Sequence, residues 1–322
     1  MKIFIAGATG VLGRRVVRLL TEHGHEVTGL ARSPQNEAFL NSMNARSTRV
    51  DIFDRAALIR AVHGHDAVLH LATKIPTKSR PRRSDWNMND RLRTEGTQNL
   101  ILATLESDAK VYVQESIVHL YNRTDGAVVD ERAPLLENPP FPLRSALAME
   151  HVIEQEIARH RLPAIILRFG GFYGHDAANT QSLLNGVRRG AVPVISRGEY
   201  FWNLIHLDDA ARAVVAAVQT QNGNLRRAYN IVDSNPVTMK ELVHGLAEIL
   251  NAPSPRSIPT ALARLVVGGD ALKFMQISLR ASNAAARRAL GWTPSYPSYR
   301  EGIKQVLSAV QNTVEGTLLY TA

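Results

Sequence analysis

The sequence predicts an α/β fold: a doubly wound parallel sheet with a smaller carboxyl-terminal lobe. Three observations carry that expectation. A strand, glycine turn and helix open the chain at Met1 to Arg14; short apolar runs then alternate with helical periodicity as far as Phe169; beyond Gly170 the alternation loosens. The expected boundaries are a core over 1–170, to which 203–232 returns, and a lobe formed mainly by 171–202 and 233–322.

The opening unit is the most informative. Ile3, Phe4 and Ile5 form a β-rich run, while Val11, Leu12, Val16, Leu19 and Leu20 recur at helical spacing behind Gly7, Gly10 and Gly13. A backbone that turns sharply and then meets a pyrophosphate tolerates no Cβ at the first two glycines, and the third lets helix pack on strand. The first-turn amides, together with the helix dipole, then face negative charge. Gly7, Thr9, Gly10, Val11, Leu12 and Gly13 are therefore the expected dinucleotide cradle of a Rossmann-like core.

Glu26 to Ala31 reads as the second strand, with Arg32 and Ser33 at its end. An acidic side chain there accepts from a ribose 2′-hydroxyl, whereas arginine suits a 2′-phosphate, so these two residues argue for NADP (NADPH) over NAD. Val50-Asp51-Ile52 reads as a strand end near the adenine, and Val68 to Ala72 as a fourth strand. A helix is expected from Trp86 to Leu105 and a fifth strand from Ala109 to Gln114, stopping at Glu115-Ser116. Ser145 is the expected cap of a helix running towards His160, and Pro163 to Phe169 the sixth strand. Pieces of the lobe follow, including a strand at Ala228 to Val232. The apolar but charge-interrupted stretch Pro259 to Leu279 reads as a helical lid over a substrate cleft.

Composition narrows the function classes. The 322 residues are 45% hydrophobic, enough for a full core. The absence of cysteine excludes disulfides and thiolate metal sites, so no metal is expected and a reducing cytoplasm is the expected compartment. No apolar run reaches the ~18 residues needed to span a bilayer. The net charge of +9 comes mostly from scattered arginines, and the 6% aromatic content argues against a nucleic-acid stacking platform. The dense basic loop from Lys74 to Arg83 fits either a phosphate-meeting flap or solvated surface.

Several motifs together resemble the extended short-chain dehydrogenase/reductase superfamily, which includes NAD-dependent sugar-nucleotide epimerases and dehydratases. They are GATGVLG at Gly7 to Gly13, HLAT at His70 to Thr73, EGTQNL at Glu95 to Leu100 and LRFGGFYG at Leu167 to Gly174. NLIHLDDAA at Asn203 to Ala211, YNIVD at Tyr229 to Asp233 and LGWTP at Leu290 to Pro294 complete the series. The resemblance implies that Gly7, Gly10, Val11, Leu12 and Gly13 hold the pyrophosphate, Asp51 and Ile52 the adenine, and Leu71, Ala72 and Thr73 the ribose-nicotinamide side. It further implies that Ser116 is the catalytic serine, and it leaves a homodimer open, since relatives often pair through helices on one sheet face.

The family's chemistry also depends on a tyrosine and a lysine four residues later, and this chain departs from it. Four residues beyond each tyrosine there is no lysine, and none lies between Lys110 and Lys240. Aligning Glu150 with the glutamate that usually follows puts Pro142 and Ala146 in their places. Arg93 stands where many relatives carry asparagine. Replacement proton donors are His119 and Tyr121, with Tyr173 and His175 as further candidates. Asp208 and Asp209 are expected only to cap a helix. The leading expectation is an NADP-dependent oxidoreductase or epimerase/isomerase acting on a carbonyl or secondary alcohol of a small metabolite, with no nucleic-acid or membrane partner. A non-redox isomerase or cyclase, and a non-catalytic NADP(H)-sensing protein, are the alternatives.

Overall fold

The computed structural model describes residues 1–78, 80–107, 109–122, 126–160, 162–220 and 227–319. The chain begins β1 (Lys2–Ala6), α1 (Gly13–Glu22), β2 (Glu26–Leu30), α2 (Pro34–Ser42), β3 (Arg46–Thr48), α3 (Arg55–Val62) and β4 (Ala67–His70). It continues α4 (Asn87–Arg91), α5 (Thr97–Leu105), β5 (Val111–Ile117), α6 (Arg144–His160) and β6 (Ala164–Phe169). Helices α7 (Ala178–Arg188) and α8 (Leu207–Gln219) precede β7 (Arg227–Ile231). Last come α9 (Met239–Ile249), α10 (Thr260–Val267), α11 (Gly269–Met275), α12 (Ala284–Leu290) and α13 (Tyr299–Leu319).

The strands form one parallel sheet in the order β7-β6-β5-β4-β1-β2-β3. The chain runs outward from β1 through β2 and β3, then restarts beside β1 with β4. The switch point, and the crevice such a point opens, therefore lies between the carboxyl ends of β1 and β4. Because both faces are covered, strand side chains of either parity are apolar. Ile3, Ile5, Leu69, Val113 and Leu167 pack with α1 and α8, whereas Phe4, Val68, Tyr112 and Ile166 pack with α6 and its neighbours. A separate apolar cluster joins Leu184 of α7, Leu242 and Leu246 of α9 and Ile303 of α13.

Several boundaries differ from the sequence reading, each for a local reason. The expected helix from Trp86 to Leu105 is broken by a π-turn over Leu92–Gly96. A Cβ on Gly96 would sit 3.2 Å from Ile52 Cδ1, so close packing shapes the backbone there. Strand β3 ends at Thr48, opposite Leu30 at the end of β2, and Asp51-Ile52 lies in the following turn. Strand β5 extends through Glu115 and Ser116 to Ile117 because β6 pairs with it that far. Ser145 does not cap α6. A single 3-10 turn over Phe141–Leu143 leads straight into the helix, and the Arg144 amide donates to the Phe141 carbonyl, so no hydroxyl cap is needed.

Asp208 and Asp209 do more than cap. The cap of α8 is His206, whose ring accepts from the Asp208 amide, and Asp208 binds Arg15 of α1 at 2.6 Å. Asp209 is fully buried and accepts from the Ser295 and Tyr296 amides at 2.7 and 3.0 Å, while its carbonyl accepts from the Trp292 indole. The motif NLIHLDDAA is thus joined to LGWTP and the two residues that follow it.

Candidate cofactor cleft and reaction site

The glycines of the opening turn have different jobs. Gly7 has φ +90, and a Cβ there would lie 2.5 Å from the Leu71 carbonyl carbon; one on Gly13 would collide with the Gly7 carbonyl. Both are required by the chain itself. A Cβ on Gly10 would meet only the Gly7 carbonyl oxygen, at 3.3 Å, and Gly10 is exposed. Its bareness serves whatever approaches from outside. Leu12 enters α1 in helical conformation and no side chain caps the helix; the Arg14 and Arg15 amides donate to the Gly10 and Leu12 carbonyls, which leaves the Val11, Leu12 and Gly13 amides beside Thr9 for that approach. These residues fit the diphosphate of a dinucleotide.

The other expected contacts flank the same turn. Leu71 donates its amide to Ala6 at 2.8 Å, which sets Leu71 and Ala72 against Gly7, with Thr73 next along the chain. The Ala72 amide donates to His70 Nδ1 at 3.3 Å, and His70 Nε2 donates to the Leu92 carbonyl at 3.1 Å. Burial pushes His70 down to about 4, so this tautomer is neutral and fixed. Arg32 is exposed at the end of β2, while Ser33 spends its hydroxyl accepting from Asn36 as the cap of α2. Asp51 accepts from the Phe53 amide, and the Ile52 carbonyl from Asn99.

Of the three expected catalytic side chains, two join one buried network and the third does not. Ser116 is buried and donates to Glu150 of α6. Tyr121 is fully buried; it donates to Asn230 at 2.6 Å and accepts from Arg168 at 2.9 Å, and burial pushes it up to about 12. Arg168 closes the circuit on Glu150 at 2.6 Å. One buried network therefore runs from Ser116 through Glu150, Arg168 and Tyr121 to Asn230. Sequence reasoning missed Arg168, although a charge inside the apolar run Ile165 to Phe169 was a readable signal.

His119 goes elsewhere. With Ile117 it lines a cavity of about 200 Å³ that reaches from the end of β5 between Phe172, Trp202, Leu242, Phe274 and Tyr299. Its ring lies 5.3 Å from that of Phe274, and its Nδ1 has no hydrogen-bond partner among the described residues. Burial pushes its pKa down to about 4. Phe274 and Met275, from the stretch expected as a lid, form part of the wall. Tyr173 donates to Asp233 at 3.0 Å, and burial pushes that carboxyl up to about 8. His175 lies 4.0 Å from Asp176. Pro142 sits in the 3-10 turn, and Ala146 is buried in α6. Among the described residues no cluster of three or more His, Asp or Glu side chains could hold a metal, and no helix is long and apolar enough to cross a membrane.

The profile of the NAD dependent epimerase/dehydratase family matches residues 3–232. The chain is 30% identical over 308 residues to 3-diazoavenalumate denitrifying reductase of Streptomyces sp, covering 94% of this chain and 99% of that protein. Two solved structures share the fold. Human epimerase family protein SDR39U1 with NADPH has a TM-score of 0.78 at 22% identity, over 95% and 99% of the two chains. MoeE5 in complex with UDP-glucose and NAD has a TM-score of 0.76 at 23% identity, over 98% and 100%.

Proposed function

The chain belongs to the NAD dependent epimerase/dehydratase family, and from that membership we propose that it is an NADPH-dependent reductase of a small apolar metabolite bearing an electrophilic nitrogen or carbon. The observation that carries the reading is the pairing of an open glycine cradle with an apolar cavity whose wall holds a neutral imidazole, His119, where β5 ends. When bound, the reduced nicotinamide supplies hydride. Thr9, Gly10 and the first turn of α1 hold its diphosphate, and Arg32 selects the 2′-phosphate.

The missing tyrosine and lysine favour an acceptor that needs no proton at the moment hydride arrives. A diazonium group is one, and the Streptomyces relative's name concerns a diazo compound. Hydride adding to the terminal nitrogen gives an aryl diazene, whose proton moves to carbon as dinitrogen leaves; the substrate gains two electrons and NADPH loses two. Ser116 and Tyr121, locked in the buried network, act as positioning residues that stiffen the end of β5.

A second reading rests on His119. Its ring lines the cavity beside Phe274 with Nδ1 unpartnered among the described residues, and a neutral imidazole can donate a hydrogen bond to a carbonyl oxygen as hydride reaches the carbon, the proton then coming from solvent. The two readings separate on one experiment. Purified protein is given NADPH with an aryl diazonium carboxylate or with an aromatic aldehyde, and cofactor oxidation and dinitrogen release are followed above the protein-free rate. The first reading expects denitrification that survives His119→Ala; the second expects aldehyde reduction that the same change abolishes. Protein that binds NADPH yet oxidises it with neither acceptor overturns both.

A further inference from the structure

We infer that Arg93 is the cation that grips the nicotinamide half of the dinucleotide, meeting the ribose hydroxyls and the phosphate next to them. The inference rests on the dinucleotide reading above and concerns the end of the cleft where the family's tyrosine and lysine are gone.

Arg93 lies in the π-turn, and its surroundings fix where that turn sits. His70, at the end of β4, holds the Leu92 carbonyl, and Gly96 is pressed against Ile52 and the His70 ring. The turn also packs on α6. Arg93 is therefore held near the carboxyl ends of β4 and β5, on the opposite side of β1 from Arg32. A dinucleotide whose diphosphate lies at the β1/β4 switch point extends one half towards Arg32 and the other towards Arg93.

Its Nε lacks the partner that such burial demands. Arg93 is only 5% exposed, and its Nε has no hydrogen-bond partner among the described residues. The acids that act on it are Glu115, Asp90 and Glu150, and among the described residues none of them forms an ion pair with it. Glu150 is occupied by Arg168 and Ser116. Burial pushes Glu115 up to about 7 even with Arg93 pulling the other way, so it offers incomplete neutralisation. A guanidinium stays charged at any physiological pH, and a buried charge left unpaired destabilises a fold. A ligand bringing a phosphate and hydroxyl acceptors supplies what the chain withholds, in the fork geometry arginine matches best.

The test separates this role from a structural one and from failure of the dinucleotide reading. Binding of ADP, NADPH and NADH to wild type, Arg93→Met and Arg93→Lys is measured by fluorescence and by thermal shift. Wild type binding ADP and a reduced dinucleotide upholds the cradle; binding neither removes the premise. With the premise intact, Arg93→Met should melt no lower than wild type without ligand, bind ADP equally, and lose tenfold or more in dinucleotide affinity, with Arg93→Lys in between. A lower unliganded melting temperature with unchanged dinucleotide affinity assigns Arg93 to the fold and overturns the inference. So does an equal loss of ADP binding, which would place Arg93 on the adenine half; if Arg93→Met does not fold, Arg93→Lys alone must show the selective loss.

Discussion

The two ends of the cleft are built on opposite principles. At the glycine turn the chain makes its site by leaving side chains out, so the contacts belong to the backbone and are fixed by φ at Gly7 and by close approach at Gly13. At the end of β5 it makes its site with side chains, and nearly all of their polar capacity is turned inward: Ser116, Glu150, Arg168, Tyr121 and Asn230 satisfy one another. The first end is open to a ligand by geometry. The second presents apolar surface, one neutral imidazole and one buried guanidinium whose Nε has no partner among the described residues.

That contrast can be broken most forcefully at Glu150. Glu150→Ala leaves Arg168 buried without its carboxylate and should destabilise the protein by about 3–5 kcal/mol, read as a lowered denaturation midpoint. A loss within ~0.5 kcal/mol would show that the network is not what holds the end of β5. Gly7→Ala comes next. It strains a positive φ and drives a Cβ into the Leu71 backbone, for an expected loss of about 2–4 kcal/mol.

Gly10→Ala sharpens the comparison by doing the reverse. Stability should stay within about 0.5 kcal/mol of wild type, while dinucleotide affinity falls roughly tenfold, near 1.4 kcal/mol. Equal affinity by titration would mean that no ligand approaches this glycine. Arg32→Glu should lower NADPH affinity and leave NADH binding nearly unchanged. Equal effects on both would separate Arg32 from the 2′-phosphate.

The smallest effect concerns Asp233, whose folded-state carboxyl is pushed up to about 8. A carboxyl raised on folding contributes stability at low pH that is lost as pH rises towards that value. Asp233→Asn keeps an acceptor for Tyr173 and removes the ionisation, so the variant should gain on wild type as pH rises from about 4 to 8 and hold its gain above. A pH-independent difference in urea midpoint would count against that assignment.

Much of this was legible in the residues. The strand, turn and helix of the opening unit follow from apolar spacing and three glycines, because those signals are local. The absence of a lysine four residues beyond any tyrosine is a plain fact of the chain. The boundary shifts at Leu92–Gly96, Thr48 and Ile117 were not readable. Each depends on a neighbour distant in sequence: Ile52 against Gly96, Leu30 opposite Thr48, Phe169 opposite Ile117. Asp209 shows the same limit, since nothing near it announces the amides of Ser295 and Tyr296.

By itself, then, the sequence determined the parallel α/β architecture and the bare turn at its switch point, since periodicity, glycine and missing residue types are written one position at a time. Only the tertiary structure decided that Ser116 and Tyr121 face inward, that His119 faces the cavity and that Arg93 is buried with its Nε unpartnered among the described residues. Those outcomes depend on which polar groups meet across the fold, and a buried polar atom's partner is chosen by three-dimensional proximity rather than by spacing along the chain.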